Sequence, residues 1–228
     1  MAKRWQLIAH DQQLVADLQQ SAKVPAVVAQ LLLARGIGHS SLVSGFLESR
    51  LSGLRDPHLL PGCSAAAERL FEAIQAGRKI VVYGDYDADG MTAAALLVRC
   101  LRMLGAEADV YVPNRLEDGY GLSCDALRSI ALADAGTVVT VDCGITSVVE
   151  AREARALGLE LIVTDHHQFG PTLPEADVLV HPALPGSDYP FTGLAGAGVA
   201  FKLAWALCHR LSEGERVSRE LPSESVSG

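Results

Sequence analysis

From Ile80 onward the chain alternates short apolar runs with longer stretches of helical periodicity. Ile80-Val81-Val82-Tyr83 is apolar at every position, the pattern of a strand buried on both faces of a parallel sheet. Comparable runs recur at 108–112, 137–141, 160–164 and 178–180. Helical patterns lie between them: one capped by Thr92 and closed by Gly105, one over 123–133, and one capped by Thr146 that runs to Leu157. Another follows the glycine-rich stretch 192–198. This strand–helix alternation predicts an α/β fold, a doubly wound parallel sheet with helices on both faces.

The first sixty residues differ. They show helical periodicity and no strong strand, with patterns at 24–35, closed by Gly36, and at 40–51. Pro61-Gly62 marks a boundary, and an amphipathic helix over 64–76 leads into the first strand. The expected organisation is a small helical segment at 1–62, the α/β domain at 63–212 and a polar, serine-rich tail at 213–228. His10, His39 and His58 stand singly in the first segment and read as surface or capping residues. No internal repeat is evident.

Chemistry concentrates where the apolar runs end. Asp85, Asp87 and Asp89 follow the first, Asp142 the third, and Asp165-His166-His167 the fourth. In an open parallel sheet these carboxyl ends share one rim, so residues distant in sequence meet there. Several carboxylates at one place repel one another unless a cation sits among them. Oxygen donors with imidazole suit one or two divalent first-row ions, manganese above all, with magnesium as the harder alternative. Such ions bind phosphate oxygens and acidify a water between them.

Competing readings of the same residues are weaker. Asp85-x-Asp87-x-Asp89-Gly90 matches the front of a calcium loop, but position twelve is Leu96 rather than glutamate, and a strand precedes it. A merely solvated loop accounts for one aspartate before a helix, not for three. Dinucleotide binding is disfavoured because the first strand–helix turn lacks G-x-G-x-x-G and offers carboxylates instead. Lys202, in the helix after the glycine-rich stretch, is a candidate phosphate contact; equally, those glycines serve close helix packing.

The net charge of −8, from 19 basic and 27 acidic residues, argues against a non-specific polyanion-binding surface over the whole chain. It leaves room for a nucleic acid held through metal ions at one cleft. Five widely spaced cysteines without a CxxC pair support neither a zinc site nor a disulfide framework. Reduced thiols, the lack of a signal-peptide pattern and the lack of a long apolar run together predict a soluble, cytoplasmic chain without membrane contact.

Asp165-His166-His167 after an apolar strand resembles the name-giving triplet of the DHH phosphoesterases. Within that superfamily, residues 82–90 are similar to the first motif of the RecJ family of single-strand-specific 5′–3′ exonucleases. Val112-Pro113-Asn114-Arg115, Gly119-Tyr120-Gly121-Leu122, residues 141–145 and residues 194–201 resemble later RecJ motifs, and the likeness runs from about residue 5 to about residue 212. It implies Asp87, Asp89, Asp142 and His166 as metal ligands, with Asp142 bridging two Mn2+ or Mg2+ ions. It implies Asp85 as acidic support, Asp165 as the group that orients a histidine, and His167 as a ligand or phosphate contact, a catalytic trio. Arg115 and Tyr120 would lie on the substrate side with Lys202. The implied partner is single-stranded DNA in repair and recombination, with a helicase or a single-strand-binding protein as candidate companions. The implied products are 5′-mononucleotides.

Two departures stand out: Cys143 replaces an asparagine after the bridging aspartate, and His181-Pro182 replaces Asn-Pro. Members of the family continue to a further ligand, a second domain and an OB-fold, so the chain reads as an amino-terminal portion. Two other functions therefore stay open. One is a DHH phosphodiesterase acting on short oligonucleotides, cyclic dinucleotides or pyrophosphate; the other is a truncated domain that binds metal or a partner without turnover.

Overall fold

The computed structural model describes residues 11–48, 51–113 and 121–212, in two compact units that divide between Arg55 and Asp56. The first unit holds helices α1 (Gln12–Ala22), α2 (Ala26–Ala34) and α3 (Ser40–Leu47). Asp11 caps α1 by accepting from the backbone N–H groups of Gln13 and Leu14. Leu18, Ala29, Leu32 and Val43 form its buried core. These are the inward positions of three short helices, each too short to persist without the others.

The second unit begins with a 3₁₀ turn at Pro57–Leu59 and α4 (Cys63–Gln75). It continues β1 (Ile80–Gly84), α5 (Ala88–Met103), β2 (Ala108–Tyr111), α6 (Cys124–Leu132) and β3 (Thr137–Val141). α7 (Val148–Ala156), β4 (Glu160–Thr164), β5 (Val178–Val180) and α8 (Gly196–Leu211) complete it. The five strands are parallel in the order β2-β1-β3-β4-β5. The α/β class and the two-faced parallel sheet follow the sequence expectation.

Side chains alternate between two cores, as the twofold strand period requires. Ile80, Val82, Val139, Val141 and Ile162 pack with α4, α5 and α8; Val81, Tyr83, Val138, Leu161 and Val163 pack with α6 and α7. Because both faces are covered, β1 and β3 are buried along their full length.

Three local expectations are corrected. Thr92 does not start α5: Asp87 does, accepting from Asp89 and Gly90 N–H, because a carboxylate reaches these donors one turn earlier. The Thr92 hydroxyl donates instead to the Ala88 carbonyl. α7 starts at Val148 with Ser147 at the cap position, so Thr146 lies before the helix. Pro61-Gly62 is not a boundary between units but lies inside the second. Gly62 has φ +76°, and a Cβ there would sit 1.9 Å from the Leu179 carbonyl oxygen, so the α4 turn packs directly on β5. His10, Arg115, Tyr120 and the tail at 213–228 lie outside the described residues.

From β1 the chain crosses to β2 on one side and then returns to β3 on the other. Connections leave β1 and β3 in opposite directions, which opens a crevice at their carboxyl ends.

Candidate metal centre

The crevice between β1 and β3 is lined with acid. β1 ends at Gly84, and the next residue, Asp85, is 2% exposed. Burial is the main force raising its carboxyl pKa, partly offset by the Tyr86 N–H it accepts at 2.7 Å. Gly90, in the first turn of α5, is pressed against Asp85; a Cβ on Gly90 would lie 2.6 Å from the Asp85 Cβ.

Asp142 follows β3 in a left-handed backbone conformation, φ +63°, uncommon for a residue with a side chain. The turn brings its carboxylate over the sheet edge, where it is 1% exposed. His166 Nε2 lies 3.0 Å from its Oδ1, yet neither carboxylate oxygen receives a hydrogen bond. Burial first, and then the charge of Asp89, push its pKa up to about 7.

Asp165 organises the end of β4. Its Oδ1 accepts from His166 N–H at 2.7 Å, from His167 N–H at 3.1 Å and from His167 Nδ1 at 2.8 Å. Its Oδ2 accepts from Ile145 N–H at 2.9 Å, tying the turn after β3 to the turn after β4. Since Nδ1–H donates to Asp165, His167 keeps Nε2 for another partner. Burial pulls the His167 pKa down, but the Asp165 hydrogen bond and the surrounding carboxylates outweigh it, and the net shift is upward.

Asp89 is placed differently. Its two oxygens accept from Gly196 N–H at 2.8 Å and Ala197 N–H at 2.7 Å, so the positive end of α8 already holds an anion, the protein's own. Asp89 Oδ2 is 3.6 Å from His166 Nε2. Gly196 has no Cβ for a reason: one would fall 2.3 Å from Asp142 Oδ1. The glycine-rich stretch thus serves a close approach of helix to carboxylate.

Two overlapping groups offer ligand atoms within 4.8 Å of one another: Asp142, His166 and His167, and Asp85, Asp87 and Asp142. Asp142 belongs to both. Among the described residues, the ion pairs of Asp89, Asp142 and Asp165 are with His166 and His167, with no Lys or Arg at the rim. Buried carboxylate oxygens without donors, flanked by imidazoles and further acids, fit divalent cations well.

Six expected rim residues therefore meet as two sets or as their support: Asp85, Asp87, Asp142, Asp165, His166 and His167. Asp89 lies beside them, its Oδ2 3.6 Å from His166 Nε2, while each of its oxygens accepts one α8 N–H. Lys202 is not at the rim. It is 3% exposed on α8, its ammonium lies 4.7 Å from the Trp205 ring centroid, and its charge acts on the Cys63 thiol. Cys143 is buried beneath the site, its Sγ 4.0 Å from the Tyr83 carbonyl, and burial raises its thiol pKa far above the usual range. Sequence reasoning missed the α8 N–H groups and the Ile145 N–H, and it noted His181 as a departure from Asn-Pro without giving it a role.

A five-stranded parallel sheet with acids and a paired histidine on its carboxyl rim is a phosphoesterase-like scaffold, and the family model for the DHH family, N-terminal domain, matches residues 79–225. The chain belongs to the DHH family. Among curated relatives it is 42% identical to the single-stranded-DNA-specific exonuclease RecJ of Bacillus subtilis (strain 168), over 92% of this chain and 27% of that protein. It is 40% identical to the RecJ of Escherichia coli (strain K12), over 91% of this chain and 35% of that protein. The crystal structure of RecJ in complex with Mn2+ from Thermus thermophilus superposes with a TM-score of 0.71 at 36% identity, covering 90% of this chain and 28% of that one. The chain thus spans about a third or less of the length of these relatives.

Proposed function

We propose that this chain carries the metal-binding part of a RecJ-type exonuclease, which hydrolyses single-stranded DNA from the 5′ end and releases 5′-mononucleotides. The observation that carries the reading is Asp142: a buried carboxylate shared by two ligand sets, with both oxygens lacking a hydrogen-bond donor. Bound manganese or magnesium would supply Lewis acidity toward phosphate oxygens and toward an attacking water.

The residues divide the remaining work. Asp142 faces both sets; Asp85 and Asp87 complete one, His166 and His167 the other. Asp165 engages Nδ1 of His167 and so fixes the ring and leaves Nε2 as its ligand atom. Asp89 holds the start of α8 against the rim, which keeps Gly196 in contact with Asp142. Deprotonating Asp142, whose pKa is raised to about 7, accompanies metal loading, so loading releases a proton and strengthens as pH rises. The RecJ names of the curated relatives support the substrate class. A cytoplasmic setting, with a helicase or a single-strand-binding protein presenting the DNA end, completes the proposal; among the described residues no helix is long and apolar enough to cross a membrane.

The test is nucleotide release from 5′-phosphorylated single-stranded DNA in manganese, beside duplex DNA and an Asp142→Ala control. Single-strand-selective release of mononucleotides that disappears in the control is the expected result. Equal release by Asp142→Ala would overturn the site, and faster cleavage of a dinucleotide than of a long strand would overturn the substrate class.

A further inference from the structure

We propose that His181 is a positioning residue of this centre: its Nε2–H, donated to the His167 carbonyl, sets the backbone from which His166 and His167 present their imidazoles. The inference rests on the metal-site reading above and assigns a role to a residue outside both ligand sets.

Both ring nitrogens of His181 are engaged, and the partners fix which one carries the proton. The Ala183 N–H donates to Nδ1 at 3.0 Å, so Nδ1 must be the unprotonated acceptor. The proton therefore sits on Nε2, 2.9 Å from the carbonyl oxygen of His167. The ring is 1% exposed, and Phe169 meets it edge-on with centroids 5.3 Å apart.

The consequence lies in what the two bonds connect. Asp165 holds the His166-His167 segment from one side, through both backbone N–H groups and the His167 ring. His181 holds the same segment from the other, through its carbonyl. The backbone is thus held at two successive N–H groups before the His167 Cα and at the carbonyl after it. Without the second clamp the peptide that follows His167 can turn, and the segment that carries the His167 ring and sets His166 Nε2 3.0 Å from Asp142 Oδ1 keeps only its Asp165 anchor. The Ala183 bond adds a link to the segment that leads from β5 to α8, whose first N–H groups hold Asp89. A side-chain amide carries an acceptor and a donor and reproduces this pairing; a phenyl ring keeps the shape and removes both bonds.

The experiment titrates Mn2+ calorimetrically into the whole chain and into His181→Asn and His181→Phe, with far-UV circular dichroism and melting curves for each. His181→Phe is expected to bind manganese about tenfold or more weakly while His181→Asn stays within about threefold of the parent. Undiminished binding by His181→Phe overturns the proposal, as does equal loss in a folded His181→Asn. If His181→Phe does not fold, the decision passes to the imidazole ¹⁵N signals of the metal-free parent, together with binding by His181→Asn. An Nε2-protonated His181 ring with retained binding upholds the role, and an Nδ1-protonated ring overturns it. If the parent itself binds no manganese, the function proposed above fails separately. The His181 role then stands or falls on the His166 and His167 signals, which must move in His181→Phe and not in His181→Asn.

Discussion

Asp142 is where the cost of the site is concentrated. Its backbone is left-handed, its carboxylate is buried, and neither oxygen has a donor. In the absence of a cation its charged form is disfavoured in the folded state, so its pKa rises from 3.8 to about 7. The sign of the pH effect follows. A carboxyl with a raised folded pKa costs stability as pH climbs from the unfolded value through the folded one. The metal-free chain should therefore lose stability between pH 3.8 and about 7. His167, whose pKa is also raised, acts in the same direction, because its stabilising charge is lost as pH rises. Asp142→Asn should abolish measurable manganese binding and at the same time raise the metal-free melting temperature near neutral pH by several degrees. Calorimetric titration and melting curves with and without EDTA check both. A lower melting temperature would mean the carboxylate is structurally satisfied after all.

Helix α8 is the element that closes the site, and its start has an unusual cap. Ala195, at the cap position, offers no side-chain acceptor, and the carboxylate of Asp89 supplies it across 107 positions of sequence. Asp89→Ala should cost about 1–2 kcal/mol in urea unfolding of the metal-free chain, the range for losing a helix cap. Gly196→Ala tests the close approach itself. The added methyl would sit 2.3 Å from Asp142 Oδ1, so either α8 or the Asp142 turn must shift. Manganese affinity should fall at least about tenfold while far-UV circular dichroism is unchanged, since a small displacement at a metal site costs affinity before it costs fold. The helices were legible in the sequence from their apolar period, and so was the rim, because strand ends announce themselves by a change from apolar to acidic residues. The caps were not. Asp87 and Thr92 are both sound cap residues by type, and the reach of a side chain to a backbone N–H decides between them. Nor could the glycine-rich stretch be divided between anion binding and packing, since both ask for small residues before a helix.

At the scale of the whole chain, the proposed function meets a constraint of net charge. With a charge of −8, a nucleic acid gains little from the surface at large. Single-strand binding should depend on divalent ions at the rim rather than on basic patches. Fluorescence anisotropy with a 5′-phosphorylated oligonucleotide should show weak binding in EDTA and at least about tenfold tighter binding in manganese. Its salt dependence in manganese should be shallow compared with that of a protein neutralising many phosphates. Strong, steeply salt-dependent binding in EDTA would locate the contact elsewhere on the chain.

The sequence by itself determined the α/β class, the strand positions, the acids and histidines at the strand ends and the DHH resemblance. Each is a local signal, carried by alternation of period two, by helical period or by contiguous motifs. The tertiary structure decided which of those residues touch. It placed β1 beside β3, so that Asp85 and Asp87 share Asp142 with His166 and His167. It gave Asp89 to α8, took Lys202 off the rim, and set His181 against the His167 carbonyl. Those outcomes depend on strand order and on how closely helices approach the sheet. Both come from packing between segments far apart in the chain, and no local pattern of residues encodes them.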